Sequence, residues 1–257
     1  MKVLYFTATG NSLSVARKIG GTLISIPQAL KTERFYYEDD VIGFVFPTYC
    51  GNVPRIVREF ISRCQLKADY FFAVATHGNK MGYGNVAEEF REYAAKYGYT
   101  FKYINTILMV DNYLDAFDIT KEEEKYLDKE IPMHLSDIIY DIKAKKEFIK
   151  KAGAKEKMFT AFAKSMLTRI DKGEKARSFI INEKCIKCGT CAKACPRGNI
   201  TVSDKVEFGD NCESCYACLH ICPKNALHLK TEKSNERWRE TGISVQDIID
   251  SNNQQKS

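Results

Sequence analysis

The chain has 257 residues, 44% hydrophobic and 28% charged, which suits one large domain or two ordinary ones and argues against disorder. Its formal charge is +6, yet residues 141–177 alone carry twelve Lys/Arg against five Asp/Glu, so the basicity is local and nucleic acid is not an expected partner. The apolar runs, such as Val41 to Phe46, fall far short of the roughly 20 residues that cross a membrane. The opening residues are too few and too quickly polar for a secretory core, so a cytoplasmic location is expected.

The first 110 residues alternate between strand and helix patterns. Lys2 to Phe6 reads as a strand, and Asn11 to Ile19 as a helix stopped by Gly20-Gly21. Thr22 to Ile26 is a second strand. Val41 to Phe46 is apolar without alternation, as in a strand buried on both faces. Pro54 to Cys64 spaces Ile56, Val57, Phe60 and Ile61 for a helix face. Tyr70 to Ala75 is a strand, Gly84 to Tyr97 a helix, and Phe101 to Val110 a fifth strand. Such alternation predicts a parallel sheet with helices on both sides. Residues 118–177 read as helical and charged, without strand signals. Residues 231–257 are polar, with one short helix near Ser244 to Ile249 and a disordered end.

Ten cysteines are the outlier of the composition, and eight lie between residues 185 and 222. They form a repeat. Cys185-Ile-Lys-Cys188-Gly-Thr-Cys191-Ala-Lys-Ala-Cys195-Pro196 recurs 27 residues later as Cys212-Glu-Ser-Cys215-Tyr-Ala-Cys218-Leu-His-Ile-Cys222-Pro223. Without an export signal, metal binding is a better reading than disulfides. Zinc favours two separated ligand pairs around one ion, whereas these crowded runs suit iron–sulfur cubanes. The stretch 179–230 resembles bacterial two-[4Fe-4S] ferredoxins, in which the fourth cysteine of each run ligates the other cluster. The resemblance implies Cys185, Cys188, Cys191 and Cys222 for one cluster, and Cys212, Cys215, Cys218 and Cys195 for the second. Ile186, Ile200, Ile221 and Leu227 are expected to keep water from them. His220 and His228 read as surface histidines rather than ligands.

Three loops follow strands. Thr7-Ala8-Thr9-Gly10-Asn11-Ser12 joins a strand to a helix N-terminus, where outward N–H groups and the helix dipole favour an anion. It holds no lysine and no Gly-x-Gly-x-x-Gly, which speaks against a Walker A site and a dinucleotide. An ordinary capped turn has the same composition. Pro47-Thr48-Tyr49-Cys50-Gly51-Asn52 and Thr76-His77-Gly78-Asn79-Lys80-Met81-Gly82-Tyr83-Gly84 end at the same sheet edge, where doubly wound sheets bind ligands. The first loop resembles the phosphate loop of flavodoxins, with Ser12 in place of the last threonine. That resemblance implies FMN, with Tyr49 and Tyr83 stacking on its ring. Gly51 would then offer a carbonyl to the ring nitrogen, and His77 and Gly78 would line the ring's polar edge. Cys50 in that loop reads as incidental, and Cys64 as core.

From Thr-Ala-Thr-Gly-Asn-Ser through Asp111-Asn112-Tyr113 to the cysteine repeat, the chain resembles the flavodoxin–ferredoxin fusion proteins of anaerobic microbes. The expected organisation is a flavodoxin-like doubly wound α/β domain (1–117), a helical basic connecting segment (118–178), a small α+β two-[4Fe-4S] domain (179–230) and a polar tail (231–257). In the connecting segment Met158, Phe159, Phe162, Met166 and Ile170 recur at helical spacing, and the stripe is expected to pack between the domains. The expected function is electron transfer between FMN and two [4Fe-4S] clusters, with a ferredoxin or oxidoreductase as redox partner and a homodimer left open. The alternative is an FMN-dependent oxidoreductase that reduces a quinone, nitro compound or disulfide with electrons from the clusters.

Overall fold

The computed structural model describes residues 1–80 and 82–255, with the side chains of 164–167 and 169–171 left out. The N-terminal elements are β1 (Lys2–Tyr5), α1 (Asn11–Ile19), β2 (Thr22–Ser25), α2 (Ile26–Lys31), β3 (Tyr36–Glu38), β4 (Val41–Pro47), α3 (Arg55–Arg63), β5 (Gln65–Lys67), β6 (Tyr70–His77), α4 (Val86–Ala95) and β7 (Tyr103–Leu108). There follow α5 (Ile119–Glu124), α6 (Ile131–Lys143), β8 (Phe148–Ile149) and α7 (Ala154–Asp171). The cysteine region adds β9 (Phe179–Ile181), α8 (Thr190–Lys193), β10 (Ile200–Val202), β11 (Val206–Phe208), α9 (Ala217–His220) and β12 (Leu227–Leu229), and α10 (Val245–Asn252) closes the chain.

One parallel sheet of six strands runs in the order β2-β1-β4-β6-β7-β8. The central strands β4 and β6 are buried on both faces, as their unbroken apolar runs require. Phe44, Ala73 and Ile104 are register partners, so they share one face. On that face Phe44 packs against Phe60 of α3 and Phe90 of α4. Tyr103 points the other way and hydrogen-bonds Asp141 of α6. Helices therefore cover both faces. Gly43 makes this packing possible, because a Cβ there would stand 2.0 Å from the ring of its cross-strand partner Phe72. Phe72 is fully buried and has nowhere to go. Gly43→Ala is therefore expected to cost about 1–3 kcal/mol, read as a lowered thermal midpoint.

The structure corrects four expectations. Residues 118–178 are more than a connecting segment. Ile131, Leu135, Ile138 and Ile142 of α6 join the main core, and β8 is the sheet's sixth strand. Two strand residues are too few to show a period, which hid β8. The short parallel pair β3–β5 escaped for the same reason.

Ile26 ends no strand but opens α2, where Ser25 caps by accepting from the Gln28 N–H (3.2 Å) and Pro27 sits in the first turn.

The stripe on α7 is not buried between domains over its described part: Met158 and Phe162 are exposed, whereas Phe159 is half-buried. Met166 and Ile170 lie outside the described side chains, and Met81 outside the described residues.

Over its described residues the polar tail packs into the fold. Ile248 and Asn252 are fully buried, and α10 lies on α2 and α8. Several of its polar side chains bond into the body of the fold, while others, such as Gln246 and Asp250, are exposed. Asn252 Nδ2 donates to Thr7 O (3.0 Å), Tyr5 OH meets Ser251 Oγ (2.9 Å), and Gln254 Nε2 donates to Pro27 O (3.0 Å). Polar composition marks a disordered end only when nothing takes up its hydrogen bonds.

Candidate functional site

The cysteine repeat folds as a backbone repeat. Left-handed residues recur at the same offset: Lys187 with Ser214, Gly189 with Tyr216, and Gly198 with Asn225. The fourth cysteine of each run accepts an N–H four residues on, from Asn199 to Cys195 Sγ and from Ala226 to Cys222 Sγ, both at 3.2 Å. All ten cysteines are free thiols.

The structure brings Cys185, Cys188, Cys191 and Cys222 around one small cavity, with Pro223 and Leu227. Cys191 feels the charges of Cys222, Cys188 and Cys185, though burial is the main reason its thiol is pushed up to about 11. Cys195 is grouped with the second run: it acts electrostatically on Cys212, Cys215 and Cys218. Cys222 thus stands with the first run and Cys195 near the second. No three described His, Cys, Asp or Glu side chains stand close enough to hold a single metal ion.

The two sets differ in exposure. Cys188 is exposed, and Ile186 beside it is 58% exposed, so Ile186 does not shield the outer set as expected. Ile200, Ile221 and Leu227 are buried. In the inner set Cys195, Cys215 and Cys218 are buried. His220 and His228 are not surface histidines either. Trp238 N–H donates to His220 Nδ1 (3.0 Å), which leaves Nε2 to donate to Asn112 O (2.9 Å). Burial lowers the His220 pKa to about 4 and keeps it neutral. The ring ties the cysteine region, the tail and the loop after β7 together. His228 is half-buried against Glu232 (2.7 Å).

At the carboxyl end of the sheet lies a cavity of about 1050 Å³. Thr7, Ala8, Thr9, Asn11, Ser12, Pro47, Thr48, Tyr49, Cys50, Thr76, His77 and Gly78 line it, as the loop reading requires. So do Ser214, Cys215 and Tyr216 from the second cysteine run. One cavity therefore touches both the strand-end loops and Cys215 of the inner set. Phe159, Phe162 and Ala163 of α7 close another side.

Five expected residues stand back from the cavity. Asn52 is in the tight turn Tyr49–Asn52, where Cys50 and Gly51 are both left-handed. Gly10 faces the tail, since a Cβ there would stand 3.0 Å from Glu240 and Ile243. Gly51 and Gly84 face each other and α7: a Cβ on Gly84 would lie 2.5 Å from Thr160 Oγ1 and 2.6 Å from Gly51 Cα. Their absent side chains let α7 settle on both loops. Tyr83 is turned aside, edge-on to His77 (5.3 Å) with the Lys150 ammonium 5.6 Å from its ring centre.

On residues that line the cavity, Thr48 Oγ1, Tyr49 OH and Ser214 Oγ are themselves covered by protein and have no hydrogen-bond partner among the described residues. The polar side chains around the space, Asn11, Thr48, His77 and Lys175 among them, suit a polar ligand. The hydroxyls of the loop after β1 are held in place: Ser12 Oγ meets Thr76 Oγ1 (2.9 Å), and Asn112 Nδ2 donates to Thr9 Oγ1 (2.6 Å).

Two groups were missed from sequence. Lys129 is buried and donates to Gly78 O (2.9 Å), Met109 O (2.6 Å) and Glu122 Oε2 (3.1 Å), so it fixes the loop after β6. Nothing in its local sequence sets it apart from the neighbouring lysines. Asp111 lines the cavity against Gly78, where a Cβ would strike the carboxylate at 2.3 Å. Burial pushes its carboxyl up to about 6, against hydrogen bonds from Tyr113 N–H (3.0 Å) and Asn79 Nδ2 (3.2 Å). Burial likewise lowers His77 to about 4.

A carboxyl whose folded pKa is raised costs nothing below its unfolded value and destabilises as pH rises through its folded value. Two pKa units correspond to about 3 kcal/mol. Asp111→Asn is thus expected to raise the calorimetric midpoint at about pH 7.5 and to leave it nearly unchanged near pH 4. Equal shifts at both would contradict this electrostatic assignment.

Residues 184–226 match the family described as a 4Fe-4S dicluster domain. Over 54 residues the chain is 39% identical to pyruvate synthase subunit PorD of Methanocaldococcus jannaschii, covering 20% of this chain and 63% of that one. Over 62 residues it is 36% identical to an uncharacterised ferredoxin of the same organism, covering 21% of this chain and 79% of that one. The match thus spans less than two thirds of PorD. Among solved structures, the Trp repressor binding protein of Bacillus subtilis aligns with 43% of this chain and 84% of its own at 15% identity and a TM-score of 0.31, too slight a likeness to argue from.

Proposed function

We propose that this chain, which belongs through residues 184–226 to the 4Fe-4S dicluster ferredoxin family, passes electrons between two cubanes and an FMN held at the sheet edge. The observation that carries the reading is the shared cavity, lined by the loops after β1, β4 and β6 and by Cys215. The strand order β2-β1-β4-β6-β7 also matches the flavodoxin-like arrangement, with β3 and β5 as a side pair.

Cys185, Cys188, Cys191 and Cys222 would hold the outer cluster, and Cys195, Cys212, Cys215 and Cys218 the inner one. Thr7, Thr9, Asn11 and Ser12 would hold the phosphate at the N-terminus of α1. Thr48, Tyr49, His77 and Gly78 would meet the ring. A bound flavin carries one or two electrons, whereas each cluster carries one, so the chain would join the two kinds of chemistry. Burial of the inner set shields it from water, and exposure of Cys188 gives a partner access to the outer set.

Protein purified without oxygen is expected to hold one flavin and about eight irons per chain. Zinc in place of iron, or no flavin uptake from added FMN, would overturn the proposal.

One observation favours the reductase reading. The cavity is at or above the 300–1,000 Å³ usual for a small-molecule site, and Asp111 faces it with a carboxyl near neutrality. There Asp111 would hold a proton at Oδ for a reduced substrate such as a quinone.

A further inference from the structure

The second cysteine run carries a tyrosine where the first carries a glycine. The backbone is left-handed at both, with φ 77° at Gly189 and φ 58° at Tyr216. Glycine takes that conformation without penalty, whereas a bulky side chain is strained in it. The surroundings differ. A Cβ on Gly189 would meet nothing within 4 Å, whereas Tyr216 is 3% exposed.

Tyr216 is held from three sides. Its ring stacks on Tyr113, with centroids 5.7 Å apart and planes 20° apart. Its hydroxyl donates a short hydrogen bond to Asp115. Lys175 pairs with Asp115 at 2.8 Å and sets its ammonium 5.7 Å from the Tyr216 ring centre. Tyr113 is anchored in turn by its N–H on Asp111. Both residues line the large cavity with Cys215, but Tyr113 is the half-buried one and Tyr216 backs it, almost wholly covered. Tyr83, the sequence candidate for a ring partner, is engaged with His77 and Lys150 instead.

We propose that Tyr113, held in place by the Tyr216 ring stacked behind it, is the platform for the planar ring of the ligand in this cavity, so that the ferredoxin repeat itself supports one wall of the flavin site. This rests on the FMN reading above. The ring site is then complete only when the two halves of the chain are joined, and the ring lies beside the inner cluster.

The test is FMN titration of anaerobically prepared, iron-replete protein, with iron content and thermal midpoint measured on the same samples. Tyr216→Gly restores the residue that the backbone favours and is expected to keep all its iron. Its FMN dissociation constant is expected to rise about tenfold or more, the scale of one lost aromatic stack. Tyr216→Phe keeps the ring and is expected to bind within about threefold of the parent. Unchanged FMN affinity in Tyr216→Gly with full iron overturns the platform alone. Should that variant lose iron, Tyr113→Leu decides: weakened FMN binding with full iron upholds the platform, and unchanged binding overturns it. Parent protein that takes up no FMN fails at the earlier step, the proposed function.

Discussion

A double replacement of Cys195 and Cys212 by serine is expected to leave about four irons per chain, whereas replacing Cys195 and Cys185 together leaves none. The two pairs separate crossed from uncrossed ligation. In the crossed arrangement Cys195 and Cys212 serve the same cluster, so both losses fall on the inner set. An arrangement by sequence order predicts the reverse pattern. The proposal of crossing starts from Cys222 beside the first run around one cavity and Cys195 beside the second run. Each half is too small to form a core alone, so cluster loss also removes folding energy. Iron and sulfide analysis of anaerobic preparations reads the result, and equal iron in the two doubles would refute the assignment.

Arg197→Met is expected to cost about 3–5 kcal/mol, a drop of roughly 10 °C in the thermal midpoint of the holoprotein. Arg197 follows Cys195-Pro196 and bridges the two parts of the molecule. Its Nε donates to Glu213 Oε2 (2.6 Å), and Nη1 donates to Glu59 of α3. The side chain of Glu213 is fully buried, and its other oxygen accepts the Ile56 N–H (2.9 Å) at the start of α3. Arg55 Nε lies 3.6 Å from the same carboxylate, a weaker partner. Removing Arg197 leaves a buried charge poorly compensated, which is far costlier than losing a surface pair. The double variant Arg197→Met, Glu213→Met is expected to recover part of the loss. A single variant that melts with the parent would show that the ion pair does not hold the parts together. Glu213 lies between Cys212 and Cys215, so the same clamp also fixes the inner cysteine loop.

The sequence by itself determined the cysteine repeat, the main alternation of strands and helices through β7 apart from α2 and the β3–β5 pair, and the loops that end at one sheet edge. These are short-range properties. Cysteines three and four positions apart must share a loop, and an unbroken apolar run such as Val41 to Phe46 must be a central strand. Ligand loops follow because parallel strands all end on the same side.

Other features were decided only by the docking of distant segments. Tyr83 and Tyr216 are both tyrosines beside glycine-like turns, yet one faces Lys150 and the other walls the cavity. Lys129 is one lysine among many until Gly78, Met109 and Glu122 surround its ammonium. The tail looked solvated because its side chains are polar, but Asn252 and Gln254 find backbone carbonyls more than 200 residues away. A polar side chain fits water and a waiting carbonyl equally well, so its neighbours decide between them. Those neighbours exist only after the chain has folded.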